Sequence, residues 1–446
     1  MYVFLQPDLG GLSVGPPLDL LYHAGAVRAS GRTVAYLDAR QGHLSAEDCA
    51  ARCAALVPKA VFVRCVPGQH RQVDRLLRAL KSASESPTVL LGQYPATVPA
   101  GILSQMTGLD FALTSDAEHH MAQFCAALEA GETPSVPGLA AQTSGQFGVA
   151  PPESASADLD TLPLPYRPWL ENGTAHYRST FGEPMDVLLT ARGCPCQCSF
   201  CGRGKAEVSF RSIGLVLEEY ELLVRAGLRF ISIADGALTQ DRDRCCEFLE
   251  GVLSRGLKVR MLVRSTVDKV DRELLRLMKR AGVVQIQYGM ESGSEEVLAS
   301  LAKPASVEMN TEACRLTQEA GIQTDTSWIV GSLPETPDSV RTTADLVERL
   351  RPTSATFFAL LPLPGTPLEA QARELGWLRG GWSVTDTPAW VQLPWLTDRD
   401  HLLEIVSGLN RRFKYNWKWA MRYGLANWRR LRYSVVRTGL HRLRSG

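Results

Sequence analysis

The sequence predicts an α/β protein on two sheets. An N-terminal doubly wound parallel sheet, Rossmann-like in layout, precedes a partial (β/α)6 TIM barrel and a helical C-terminal region. Three observations predict this. Short apolar runs alternate with helix-period segments over residues 1–145. The same alternation resumes over 185–370, and a Pro-, Ser- and Gly-rich stretch, 146–184, separates the two. With residues 371–446 as a C-terminal cap and basic tail, this gives the organisation expected of 446 residues, which should form two or three domains.

In the first region MYVFLQ (1–6), TVAYLDA (33–39), AVFVRC (60–65), TVLLG (88–92) and FALTS (111–115) read as strands. Between them, 17–31, 46–57, 70–83 and 116–131 read as helices, the first with a glycine stop. Such sheets bind ligands beyond the carboxyl ends of their strands, here the loops 7–16, 40–45, 66–69 and 93–101. In the connecting stretch, proline biases the chain toward extended shapes. Its apolar anchors Leu159, Leu162, Leu164, Tyr166 and Trp169 predict that it packs rather than floats.

In the second region MDVLLTARG, RFISIAD (229–235), KVRMLVRS (258–265), VVQIQYGM (283–290), QTDTSWIVG (323–331) and TSATFFAL (353–360) read as strands, with helices near 213–226, 241–254, 271–281, 306–319 and 336–349. Site residues of such a barrel sit at the carboxyl ends of strands. That rule selects Asp235, Gly236, Arg264, Ser265, Glu291, Ser292 and Gly331.

The first of these strands runs into TARGCPCQCSFCGR, Thr190–Arg203. Cys194, Cys198 and Cys201 have the spacing C-x3-C-x2-C, with Cys196 between the first two. Iron–sulfur clusters normally take four thiolates. Three would leave one iron open for a substrate or cofactor, which suggests chemistry rather than plain electron transfer. Cys196 is read as a bystander; a C-x-C ligand role is the alternative.

Composition excludes other classes. Apolar content of 45% and charge of 21% are those of a globular chain. Eleven cysteines in this length do not make a secreted disulfide scaffold. No signal peptide is read and no apolar run approaches the ~20 residues of a spanning helix, so a cytoplasmic protein with reduced thiols is expected. There is no P-loop, no GxGxxG after the first strand and no His-rich zinc spacing.

The loop, with Phe200 before its last cysteine, resembles that of the radical S-adenosylmethionine superfamily. GMESGSEEVLASLAK, WIVGSLPETPDSVRTT and LLPLPGTPLEAQARELG resemble phrases of its cobalamin-domain subgroup, as do PPLDLLYHAGAVRASGRTVAYLDA, TVLLGQYPATVP, LTSDAEHHM and the connector DLDTLPLPYRP. The resemblance covers most of residues 1–400. It implies that Cys194, Cys198 and Cys201 hold a 4Fe–4S cluster and that S-adenosylmethionine chelates the fourth iron. Reduction would then yield a 5′-deoxyadenosyl radical. Asp235 and Gly236 would contact the methionine amino group; Glu291, Ser292 and Arg264 would contact ribose or carboxylate, with Phe200 also beside the cofactor. A guanidinium fork suits a carboxylate.

The resemblance also implies cobalamin on the first domain, with departures. Gly92-Gln93 stands where the subgroup often has Gly-Gly, and Ser115-Asp116-Ala117-Glu118 where it has Gly-Glu-Gly-Glu. No Asp-x-His-x-x-Gly offers a lower cobalt ligand; His70, in VPGQHRQ, reads as a solvated loop histidine.

The function implied is methylation of an unactivated carbon of a small-molecule or natural-product intermediate. Cyclisation, oxidation or rearrangement on the same scaffold is the alternative, and a redox-sensing cluster protein a further one. A flavodoxin or ferredoxin would donate electrons. From Arg411 onward the chain carries Arg and Lys but no Asp or Glu, interleaved with Trp417, Trp419 and Trp428. Packing on the barrel is the expectation there; peripheral membrane contact through 416–446 is an alternative, and no nucleic acid is expected.

Overall fold

A computed structural model describes residues 1–8, 15–66, 68–92, 100–114, 116–143, 146–150, 158–171, 177–179, 181–202, 206–382 and 388–414. The chain forms two compact units. One comprises Met1–Asn172 with Leu363–Gly365 and Gly380–Ala389, the other Gly173–Pro362 with Thr366–Arg379 and the chain from Trp390. Gln93, Ser115, Arg203 and the aromatic basic tail from 415 onward lie outside the described residues.

The first unit holds a seven-stranded sheet: β1 (Tyr2–Gln6), β2 (Val34–Asp38), β3 (Ala60–Cys65), β4 (Thr88–Gly92), β5 (Phe111–Thr114), β6 (Leu139–Thr143) and β7 (Gln146–Val149). Their order is β2-β1-β3-β4-β5-β6-β7. The first five pair in parallel, and β6 and β7 add antiparallel. Helices α1 (Leu18–Ala29), α2 (Ala39–Gly42), α3 (Ala46–Ala55), α4 (His70–Ala83), α5 (Ala100–Leu103), α6 (Met121–Ala130) and α7 (Pro168–Glu171) accompany it.

Both β1 and β4 are buried at every residue, as strands covered on both faces must be. Side chains alternate across the sheet. Val3, Leu5, Val61 and Val63 therefore join one core with α3 and α4, while Tyr2, Phe4, Ala60 and Phe62 join another with α1 and α6. Phe4 stacks on Phe62 at 4.5 Å; each such burial contributes roughly 1.5–3 kcal/mol.

The connecting stretch packs on this unit. Tyr166 N–H donates to the Leu21 carbonyl at 2.9 Å, and Trp169 meets the Tyr36 ring at 5.9 Å. Gly25 permits the approach, because a Cβ there would lie 2.2 Å from the Leu164 carbonyl oxygen.

The second unit is built on an open half-barrel. Its sheet runs β16-β15-β14-β13-β12-β9-β8. The strands are β8 (Tyr177–Arg178), β9 (Pro184–Leu188), β12 (Phe230–Ile233), β13 (Arg260–Ser265), β14 (Val283–Glu291), β15 (Gln323–Val330) and β16 (Ser354–Ala359). All but β8 are parallel, so the six carboxyl ends share one edge. A separate ribbon pairs β10 (Ala191–Cys194) with β11 (Ala206–Phe210), and β17 (Leu378–Arg379) pairs with β18 (Trp390–Val391).

The crossovers are α8 (Ile213–Arg225), α9 (Arg242–Ser254), α10 (Arg272–Ala281), α11 (Glu295–Ser300), α12 (Val307–Glu319) and α13 (Pro337–Leu350); α14 (Pro367–Glu374) and α15 (Arg399–Lys414) follow. The starts of α9 to α13 are fixed by side-chain caps from Asp241, Asp271, Ser294, Ser306 and Thr336. The outer strand β16 is covered by α15, whose Asn410 bonds both the N–H and the carbonyl of Phe357. Among the described residues no helix is long and apolar enough to cross a membrane.

Candidate active site

The sequence reads β9 as running straight into the cysteine loop. Instead β9 ends at Leu188, and the loop is carried by the β10–β11 ribbon. Gly193 makes that ribbon possible. Its φ is +92°, and a Cβ would meet the Glu207 carbonyl oxygen at 2.2 Å.

The base of the loop is bound by buried charge. Asp235, at the end of β12, accepts Thr190 N–H at 2.7 Å, the Thr190 hydroxyl at 2.5 Å and Ala191 N–H at 3.0 Å. Burial pushes its carboxyl up, opposed by these bonds and by Arg244. Removing it would leave buried donors unsatisfied, at about 1–3 kcal/mol each. Arg211, paired with buried Glu219 at 2.5 Å, donates to the Leu189 carbonyl. The far side of the loop is fastened at Ser199. Its N–H donates to Leu301 O at 2.9 Å, its hydroxyl to Ser300 O at 3.0 Å, and its carbonyl accepts Leu368 N–H at 3.0 Å.

Cys194, Cys196, Cys198 and Cys201 are half-buried, whereas six of the other seven cysteines are buried. The loop thiols sense one another. Cys198 is pushed up by burial, with Lys303 opposing and Cys201, Glu291 and Cys194 adding to the rise. Burial and then Cys194, which shares a hydrogen bond with it, push Cys196 up to about 11. Among the described residues no three Cys, His, Asp or Glu side chains converge on a single ion position. A cluster sets a different demand, since its thiolates are spread over several irons. A half-buried set of three cysteines on a braced loop, beside a cation, fits that demand in its donor chemistry.

The other strand-end residues fall into distinct roles. Glu291 ends β14 with φ +58°, a left-handed conformation for a side-chain-bearing residue. It is buried and pairs with Lys303 Nζ at 3.0 Å. Burial opposes the Lys303 charge, but Glu291 and then Cys198 outweigh it, so its ammonium is held more firmly than in water. Ser292 is fully buried and turned inward: its hydroxyl meets Thr343 Oγ1 at 3.2 Å and accepts Ser294 N–H at 3.1 Å. Asp235 has one carboxylate oxygen on the backbone N–H groups of Thr190 and Ala191 and the other on the Thr190 hydroxyl, and Gly236 beside it is half-buried, as is Phe200. Arg264 is exposed and donates to Gln287 Oε1 at 3.0 Å.

Two residues were not signalled by strand-end reasoning. Lys303 lies beyond the short helix α11, and only its closing position in GMESGSEEVLASLAK marks it. Gln240, in the turn after β12, has both amide atoms buried with no hydrogen-bond partner among the described residues.

In the first unit the strand order reverses between β1 and β3, which places a crevice outside their carboxyl ends. His70 is not a solvated loop residue. It opens α4, is 5% exposed, and burial pulls its imidazole down to about 4. Its ring meets Trp382 of the same unit edge-on at 6.2 Å. The Gln6 Oε1 at the end of β1 is buried without a hydrogen-bond partner among the described residues.

Comparison with known proteins adds four findings. Residues 188–347 match the model of the radical SAM superfamily. The chain is 28% identical over 394 residues to the anaerobic magnesium-protoporphyrin IX monomethyl ester cyclase of Cereibacter sphaeroides, covering 83% of this chain and spanning 63% of that protein. It is 25% identical to an uncharacterised methyltransferase of Pyrococcus horikoshii, over 80% of this chain and 78% of that one. Among solved structures it resembles the radical S-adenosylmethionine methyltransferase TsrM of Kitasatospora setae, solved with cobalamin and a [4Fe–4S] cluster. The TM-score is 0.74 at 18% identity, over 92% of this chain and 90% of that one, a likeness of fold.

Proposed function

We propose, for a chain whose residues 188–347 match the radical SAM superfamily, a cobalamin-dependent enzyme that methylates an unactivated carbon of a small molecule. The observation that carries this reading is the braced loop: three half-buried cysteines at the carboxyl edge of a half-barrel, with Glu291 and Lys303 beside them. When bound, the 4Fe–4S cluster, S-adenosylmethionine and cobalamin supply a carbon-centred radical and a transferable methyl group.

The chain's own residues supply position and charge. Cys194, Cys198 and Cys201 are the thiolates that would hold the cluster. Asp235 and Ser199 fix the two ends of their loop, and Gly236 offers backbone beside it. Phe200 supplies an apolar wall. The Arg264 guanidinium and the Glu291 carboxylate stand at neighbouring strand ends, suited to a carboxylate and to hydroxyl donors; Ser292 sets the turn that carries Glu291. Cobalamin is assigned to the first unit, as a Rossmann-like domain. Its support is the sheet order, the crevice at β1 and β3 and the fold likeness to a cobalamin-bound enzyme. An external electron donor, a flavodoxin or ferredoxin, and a cytoplasmic setting complete the proposal.

Radical cyclisation or oxidation without methyl transfer is a second reading, favoured by the likeness to the Cereibacter cyclase. One experiment separates them. The full chain is reconstituted anaerobically with iron, sulfide and cobalamin, then reduced with S-adenosylmethionine present. Formation of both 5′-deoxyadenosine and S-adenosylhomocysteine, with a corrinoid visible spectrum, is expected. Deoxyadenosine alone, or no retained cobalamin, would replace methylation by the second reading.

A further inference from the structure

We propose that Lys303 is a positioning residue for the cysteine loop, its ammonium anchored by Glu291 so as to favour the reduced form of a cluster held by Cys194, Cys198 and Cys201. This rests on the loop being the cluster site.

Three features place the charge. The Lys303–Glu291 pair is close, 3.0 Å, and its side chains are only 12% and 8% exposed. A buried pair is weak evidence for stability, because desolvation offsets attraction. Here the carboxylate is moreover presented from a left-handed residue, a conformation that costs on the order of 1–3 kcal/mol. The chain also makes room for the pair. A Cβ on Gly289 would lie 2.3 Å from Glu291 Oε1 and 3.0 Å from Lys303 Nζ. Finally, the loop is clipped to this region. Ser199, between Cys198 and Cys201, bonds the carbonyls of Ser300 and Leu301, just ahead of Lys303 in the chain.

The ammonium is therefore carried beside the loop: Ser199, the residue after Cys198, is hydrogen-bonded to Leu301, two residues before Lys303. One-electron reduction adds a negative charge to the cluster, and potentials of such clusters follow local charge. A cation held out of water therefore stabilises the reduced state, since Coulomb energies grow as the dielectric falls.

The test uses the full chain, reconstituted anaerobically without S-adenosylmethionine and titrated with dithionite while the reduced cluster is followed by electron paramagnetic resonance. Lys303→Met is expected to lower the reduced-to-oxidised ratio at fixed potential by about tenfold, a shift of about 59 mV for one electron. Glu291→Gln is expected to shift it the opposite way, and Lys303→Arg to stay near wild type. Lost packing would not produce opposite signs. Potentials that stay at the wild-type value, or move the same way in both variants at full iron content, would overturn the proposal. Should Lys303→Met take up no iron, Glu291→Gln and Lys303→Arg still decide it. Wild-type protein without a cluster signal would instead overturn the reading of the cysteine loop.

Discussion

Glu335 is a carboxyl whose surroundings change its chemistry. It is 3% exposed, accepts backbone N–H groups from Gly331 and Ser332, and burial pushes it up to about 7. An unfolded glutamate titrates near 4.5. Between those values the folded chain keeps a proton that the unfolded chain has lost, so stability falls as pH rises from 4.5 to 7 and levels off above. A shift of that size corresponds to roughly 3 kcal/mol. Glu335→Gln should therefore raise the thermal midpoint of the apoprotein at pH 8 and leave it near wild type at pH 4.5. A gap that is equal at both pH values would assign the change to packing. The sequence could not single out Glu335 or Lys303. The rule that polar groups end strands finds Asp235, Arg264, Glu291 and Ser292, but a carboxyl five residues beyond β15 and a lysine three residues beyond α11 are recruited by turns. The same limit hid the brace that the Asp235 side chain gives to Thr190 and Ala191.

At the scale of elements, legibility tracked burial. The strands β1, β3, β4, β5 and β12–β16 are apolar runs between turn residues, and their periodicity carried them. The two-stranded additions did not announce themselves. LAAQT and QFGV are short and half polar, so β6 and β7 passed as the end of a domain and the start of a linker. ARGC and AEVSF lack the apolar content of a core strand, so β10 merges with its predecessor in the sequence and β11 carries no signal. That ribbon depends on one residue. Gly193→Ala would force a side chain into a left-handed φ, about 1–3 kcal/mol by itself, and drive its Cβ into the Glu207 carbonyl. Because the strain falls on the residue before Cys194, the expected outcome is a large drop in iron bound after reconstitution. The far-ultraviolet circular dichroism should stay that of wild type, since the main sheets are untouched. Full iron uptake by Gly193→Ala would show that the loop does not rely on the ribbon.

At the scale of the molecule, the first sheet encloses its own two cores, one on each face, and neither draws on the cysteine loop. Within the first unit the connecting stretch packs through Leu164, Tyr166 and Trp169. Two cofactors assigned to two separately cored units should be separable by mutation. Replacing Cys194, Cys198 and Cys201 together by Ala removes three half-buried thiols without opening a large cavity, because each side chain is small and partly in solvent. The triple variant of the full chain is expected to lose its iron, keep its circular dichroism, and still retain cobalamin through gel filtration with the wild-type corrinoid spectrum. If cobalamin is lost together with the iron while the dichroism is unchanged, its binding is not a property of the β1–β3 crevice. The assignment of that cofactor to the first unit would then have to be withdrawn, and with it the methyl donor on which methylation, as opposed to cyclisation, depends.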